Sequence, residues 1–186
     1  VAGQESGADV AARRQAAALN SAAVQGRAEA TQRAARAAKR KATAEAQARA
    51  KAERAAKKWV RPINVWNVTS SYGPRWGKTH DGLDLAASTG TPLYAMSGGV
   101  VVRSFFDSSF GNKVEIRYWN GQVSWYAHMS QRLVQEGDSV LPGETVGLVG
   151  NTGYSFGSHL HLEVHPRAGV DAPMSPTPWL RDRGLL

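Results

Sequence analysis

The sequence predicts an all-β domain, a compact antiparallel sandwich or barrel-like fold, preceded by an α-helical segment rich in Ala, Arg and Lys. Composition changes abruptly at Trp59. Residues 1–58 hold 23 alanines with no aromatic residue and no proline, whereas glycine, proline, aromatic and β-branched residues crowd the chain beyond. Charge divides at the same place, with 13 Lys and Arg against 5 Asp and Glu in residues 1–58 and 10 of each in residues 59–186, so the net +8 belongs to the first segment. Past Trp59 the apolar runs are short and separated by turn signals, and none sustains a helical period. These features divide the chain into residues 1–58 and 59–186.

Taken in order, the first segment favours helix from about Asp9 to Lys58 by its Ala, Arg, Lys, Glu and Gln content, with Asn20-Ser21 and Gly26 as weak points. Alanine buries little area, so this helix has no wide apolar stripe for docking. It also lacks the Leu and Ile heptads of a strong coiled coil. It reads as a solvated helical or partly disordered linker, as an attachment to a polyanion such as wall teichoic acid, a membrane surface or a nucleic acid, or as a weak helix-pairing element. A nucleic-acid role finds no aromatic stacking residues here. In the second segment, Thr91–Val102 reads as strand–turn–strand about Ser97-Gly98-Gly99. Lys113–Trp119 and Gln122–His128 flank the tight-turn pair Asn120-Gly121. Ser139–Gly143 and Thr145–Val149 are split at Pro142-Gly143, and His159–His165 alternates without interruption. No apolar run is long enough to span a bilayer. The chain opens at Val1 without a signal peptide, as expected of a mature or trimmed form. The absence of cysteine excludes disulfides, thiolate–zinc sites and cysteine nucleophiles.

All five histidines lie in the last 107 residues. An extended backbone over His80-Asp81-Gly82-Leu83-Asp84 puts His80, Gly82 and Asp84 on one face, with Gly82 leaving space between an imidazole and a carboxylate. Alone, such a pair is more often a surface coincidence. The period of two over His159–His165 turns His159, His161, Glu163 and His165 to one face and Leu160, Leu162 and Val164 to the core. Two histidines as H-x-H are unusual unless they converge on something, and a metal is the commonest reason. His128 ends a strand on the Ser124/Tyr126 face, where an isolated histidine is most often structural.

Together, H-x-G-x-D, Y-x-H and G-x-H-L-H-x-E, in this order, resemble the lysostaphin/LytM-type zinc endopeptidases of bacterial cell walls. The resemblance runs from Val68 to Leu180 and includes Ser71-Tyr72-Gly73-Pro74-Arg75 and Gly147–Gly153. It implies one zinc ion held by His80, Asp84 and His161, with His128 and His159 as catalytic histidines. It also implies a peptidoglycan peptide as substrate and an exported protein in the cell wall or outside the cell, whose basic segment meets anionic wall polymers. Two imidazoles and one carboxylate leave a fourth position open, as catalytic zinc requires. The H-E-x-x-H motif is absent, so proton transfer falls to the two histidines. The same ligands suit other divalent metals.

Arg75 and Glu163 are further candidates. Arg75 can contact substrate carbonyls or carboxylates, or hold a loop. Glu163 can face substrate, hydrogen-bond a ligating imidazole, or cap the sheet. His165 is expected at the surface of the strand end. Trp76, Phe105, Phe106, Phe110 and Trp125 are expected either to line a peptide groove or to enter the core. The ending Pro176-Thr177-Pro178-Trp179-Leu180 resembles actinobacterial members of the family. A LytM-type module that binds wall or activates an amidase without hydrolysis shares the fold but normally lacks ligands. The Gly137–Glu144 stretch has the strand–turn grammar of lipoyl carriers but no lysine tripeptide to carry the group.

Overall fold

The computed structural model describes residues 6–75, 77–169 and 171–186. These fall into two compact units divided after Ala52. Helix α1 runs from Gly7 to Ala56 and buries no residue. It continues through Asn20, Ser21 and Gly26, because the flanking Ala, Arg and Gln residues outweigh three weak positions. Ser21 also returns its hydroxyl to the helix, donating to the Ala18 carbonyl at 2.9 Å.

The second unit is antiparallel β. Its strands are β1 (Asn67–Ser70), β2 (Gly73–Arg75), β3 (Lys78–His80), β4 (Leu83–Ala86), β5 (Pro92–Tyr94), β6 (Gly99–Asp107), β7 (Gly111–Tyr118), β8 (Val123–Met129), β9 (Gln131–Arg132), β10 (Ser139–Val140), β11 (Thr145–Leu148) and β12 (His159–His165). A short helix, α2 (Pro176–Arg181), follows. Among the described residues one sheet runs β1-β4-β12-β8-β7-β6-β10, a second β5-β11-β9, and β2 pairs with β3.

Strand β12 at the centre of the large sheet shows how the sequence makes the site. Leu160, Leu162 and Val164 are buried with Leu83 and Leu85 of β4 and with Val114, Ile116 and Tyr126. Strict alternation then commits His159, His161 and Glu163 to the other face. Tyr126, fully buried, ties the sheets together: its hydroxyl donates to the Tyr94 carbonyl at 2.8 Å and accepts from the Met96 amide at 3.2 Å.

Among the expected boundaries that move, these bear on the site and the sheet. β6 continues past Val102 to Asp107, because pairing with β7 holds as far as Asp107↔Gly111. The Ser139–Gly143 strand stops at Val140, before the turn at Pro142-Gly143. The backbone is not extended throughout His80–Asp84; it bends at Gly82, so His80 belongs to the β2–β3 ribbon and Asp84 to the large sheet.

Candidate metal centre and active site

Register brings the first three groups together. Asp84 of β4 lies directly opposite His161 of β12. His80 reaches the same point from the neighbouring ribbon. Asp84 Oδ1 is 2.8 Å from His161 Nδ1 and 3.1 Å from His80 Nε2, and these two nitrogens are 3.2 Å apart. A tetrahedral ion with ligand bonds near 2.0 Å has ligand atoms about 3.3 Å from one another. The donor set, two imidazoles and a carboxylate at nearly this spacing, therefore fits zinc.

Neighbours fix which ring nitrogen is available. A carbonyl only accepts, so His80 Nδ1 carries the proton it donates to Ser71 O at 2.9 Å, leaving the Nε2 lone pair free. His161 is turned the other way round: Nε2 donates to Glu163 Oε1 at 3.1 Å and Nδ1 faces Asp84. Gly82 makes room for this ring. A Cβ there would lie 2.5 Å from His161 Cε1 and 2.9 Å from the Leu162 carbonyl oxygen.

His128 and His159 complete the cluster. Their ring centroids are 4.8 Å apart, and ligand atoms of His128, His159 and His161 lie within 4.8 Å of one another. His128 does not share the face of Ser124 and Tyr126, as alternation predicts. Tyr126 pairs with Val114 and Met129 with Asn112, so β8 carries one extra residue there. This bulge, with His128 at φ 58°, swings the side chain from the core face to the site face. Bonds to neighbouring loops hold the strained residue: its amide donates to Phe110 O at 2.8 Å and its Nδ1 to Thr152 O at 2.8 Å. His159 Nδ1 likewise donates to Gly157 O at 2.8 Å. Both rings thus keep Nε2 for chemistry.

Burial and proximity set the charges. Burial pushes the Asp84 carboxyl up, but hydrogen bonds from His159, His161 and His80 outweigh it and hold the group well below the usual carboxylate range. Burial lowers His161, yet Asp84 and Glu163 prevail and raise it to about 9. Burial favours the neutral form of Glu163, against which His161 and His165 hold it ionised. Burial dominates at His128 and, with His159 and His161 nearby, lowers it to about 4 despite the Thr152 carbonyl. His128 is therefore neutral near pH 7, and a cation and a proton compete for the same lone pair of His161.

Arg75 Nη1 hydrogen-bonds Ser70 Oγ and stands 3.6 Å from Asp84 Oδ2, the oxygen the histidines leave. Glu163 is 2% exposed with an oxygen engaged by each of His161 and His165, which directs it to the imidazoles and not to the cleft. His165 is not at the surface: it is 1% exposed, because Glu163 Oε2 accepts its Nε2–H at 2.7 Å and Trp125 stacks on its ring. Phe110 and Trp125 pack beside His161 and His165, Phe105 packs against Arg103, and Phe106 is exposed. Trp76 lies outside the described residues.

Sequence reasoning missed Tyr154 and Phe156. They are 73% and 79% exposed, with ring centroids 5.2 Å apart. They stand at the edge of a cavity of about 360 Å³ that also contains Arg75, Asp84, His159 and His161. Their signal was available as two aromatics within the otherwise small and polar loop 150–158.

Among family models, that of Peptidase family M23 matches residues 78–174, from β3 through the last histidine strand. The chain belongs to peptidase family M23. This M23 chain is 40% identical over 119 residues to the peptidoglycan DD-endopeptidase ShyC of Vibrio cholerae, a match covering 59% of the chain and 28% of ShyC. It spans under a third of the length of these curated relatives, 28% of ShyC and 30% of the DD-carboxypeptidase/endopeptidase Mpg of Neisseria meningitidis. Among solved structures, the catalytic domain of the antimicrobial peptidase lysostaphin from Staphylococcus simulans superimposes with a TM-score of 0.60 at 31% identity, over 62% of this chain and 92% of that one. The expected lysostaphin/LytM likeness and antiparallel β architecture are thus borne out. A zinc-containing peptidase from Vibrio cholerae superimposes with a TM-score of 0.59 at 28% identity, over 64% of this chain and 39% of that one.

Proposed function

We propose that this M23 protein is a zinc-dependent endopeptidase that hydrolyses peptide bonds in peptidoglycan cross-links or stem peptides. The observation that carries the reading is the convergence of five groups from four strands, with one ring nitrogen of each imidazole fixed for use. His80 Nε2, Asp84 Oδ1 and His161 Nδ1 would hold a single ion. Bound there, zinc supplies a Lewis acid that polarises the scissile carbonyl and lowers the pKa of water.

The remaining work belongs to the chain. His128 and His159 take and return protons at Nε2, each ring held by its Nδ1–H bond to a loop carbonyl. Glu163 and the Ser71 carbonyl fix the orientation of His161 and His80. Arg75, one-third exposed and 3.6 Å from Asp84 Oδ2, meets substrate carbonyl or carboxylate groups at the cleft.

The substrate class is supported by the likeness to ShyC, a peptidoglycan DD-endopeptidase, and to Mpg, a DD-carboxypeptidase/endopeptidase. It sets the place of action at the cell envelope, outside the cytoplasmic membrane. No helix of the described residues is long and apolar enough to cross a membrane. The ending Pro176–Leu180 and the Ala/Arg-rich segment support an actinobacterial-type member and direct cross-links over glycine bridges. Residues 1–58, which carry the whole net charge, attach the domain at 59–186 to anionic wall polymers.

The test is release of new amino groups from purified peptidoglycan by wild type, His80→Ala and Asp84→Ala. Wild type is expected to be active and chelator-sensitive, and each variant to lose both zinc and activity. Undiminished hydrolysis by either variant ends the zinc reading. Wall binding without chelator-sensitive hydrolysis by the wild type identifies a non-enzymatic wall-binding module.

A further inference from the structure

A run of buried polar groups continues beyond the five site residues. On β12 the alternation that exposes His161 to the metal position places Glu163 and His165 next on the same face. Glu163 Oε1 takes the Nε2–H of His161 at 3.1 Å and Oε2 takes the Nε2–H of His165 at 2.7 Å. The His165 ring lies on Trp125 with centroids 4.1 Å apart and planes 24° from parallel. Trp125 faces Glu163 across the β8–β12 register and carries the Lys113 ammonium 3.2 Å from its ring centroid. Lys113 is held in turn 2.9 Å from Glu115 Oε1.

This assembly is expensive. Glu163, His165, Lys113 and Glu115 are each no more than 6% exposed. Burying charges costs several kcal/mol per ion, and apolar residues of similar volume would fill the space at least as stably. What the polar groups add is direction. Glu163 accepts one proton from each histidine, so while His165 occupies Oε2, Oε1 stays turned toward His161. A proton kept on His161 Nε2 leaves the lone pair on Nδ1, the atom beside Asp84.

We propose that His165, braced by Trp125, is a positioning residue that fixes the tautomer and orientation of His161 through Glu163. The inference rests on the reading of His161 as a zinc ligand, and it concerns how tightly the ion is held.

The experiment uses the full chain. His165→Phe keeps a ring on Trp125 and removes the donor, leaving Glu163 Oε2 without its proton, whereas His165→Gln returns an N–H at similar reach. Zinc affinity is measured by competition with a chromophoric chelator. His165→Phe is expected to bind about 10-fold more weakly, at the low end of the roughly 10–100-fold effect of losing an orienting partner, and His165→Gln to recover most of it. Equal affinity of His165→Phe and wild type, within twofold, overturns the proposal. A long-range ¹H–¹⁵N spectrum of zinc-loaded wild type decides the matter even if the variants do not fold. Nε2–H on both His161 and His165 is expected, and a His165 Nε2 without a proton overturns the proposal. If wild-type His161 does not ligate zinc at all, the zinc reading itself fails. If it does while His165→Phe binds equally well, only the positioning role fails.

Discussion

Gly82→Ala places a single methyl group against the metal centre. The added Cβ would sit 2.5 Å from His161 Cε1, 2.7 Å from Nε2 and 2.9 Å from the Leu162 carbonyl oxygen. Ordinary carbon contacts lie at about 3.5–4.0 Å, so the ring must retreat by roughly 1 Å. The Leu162 oxygen cannot follow, because β12 is paired on both sides, with β4 and β8. Metal–ligand distances tolerate only about 0.2 Å, so the displaced ring loses Nδ1 as an effective ligand. Gly82 is not among the glycines in the left-handed region, so alanine meets no backbone penalty. We expect zinc affinity to fall by roughly 100-fold, at the upper end of the roughly 10–100-fold effect of disturbing a ligand's support. The metal-free domain should lose about 1–3 kcal/mol from overpacking. Chelator competition and thermal unfolding measure the two quantities. Zinc affinity within threefold of wild type would refute the reasoning that Gly82 exists to admit the His161 ring.

Metal-free protein should be pH-sensitive on the alkaline side. His161 is raised from 6.5 to about 9 in the fold, so its stabilisation is complete below about pH 6.5 and is lost as pH rises through 9. Linkage puts the loss at roughly 3 kcal/mol, visible as a falling Tm in chelator that zinc-saturated protein does not share. A flat metal-free profile from pH 6.5 to 9 contradicts it. Tyr126→Phe removes the hydroxyl shared by Tyr94 O and the Met96 amide, and should cost about 1–3 kcal/mol by denaturant unfolding while leaving kcat unchanged. An unshifted midpoint would show those buried groups to be satisfied otherwise. Reversing Lys39, Arg40 and Lys41 to Glu lowers the net charge from +8 to +2 and should abolish salt-sensitive sedimentation with teichoic-acid-bearing walls. Unaltered sedimentation refutes attachment through the basic helix.

Periodicity explains what the sequence made legible. Leu160, Leu162 and Val164 alternate with His159, His161 and Glu163, and the same rule places Leu83 and Leu85 opposite Asp84. Both sides of the metal position could therefore be read before any contact was known. His128 could not, because the bulge that turns it depends on the β7–β8 register and the bonds to Phe110 and Thr152. Nor could the burial of His165, which follows from Trp125 and Lys113 arriving on neighbouring strands. Strands β1, β2, β3 and β9 hold at most one large aliphatic residue each, so no alternation marks them. Helix α2 did leave a signal, Ser175 before a Pro in the first turn, in a stretch where only the proline-rich ending stood out.

Zinc titration of the metal-stripped protein acting on purified peptidoglycan tests the central claim most directly. New amino termini should appear in proportion to added zinc and reach their maximum at one ion per chain. Muropeptide masses should show cleaved peptide bonds and intact glycan. Full hydrolysis by metal-stripped protein in excess chelator, or one equivalent of zinc bound without any new amino terminus, would contradict the account.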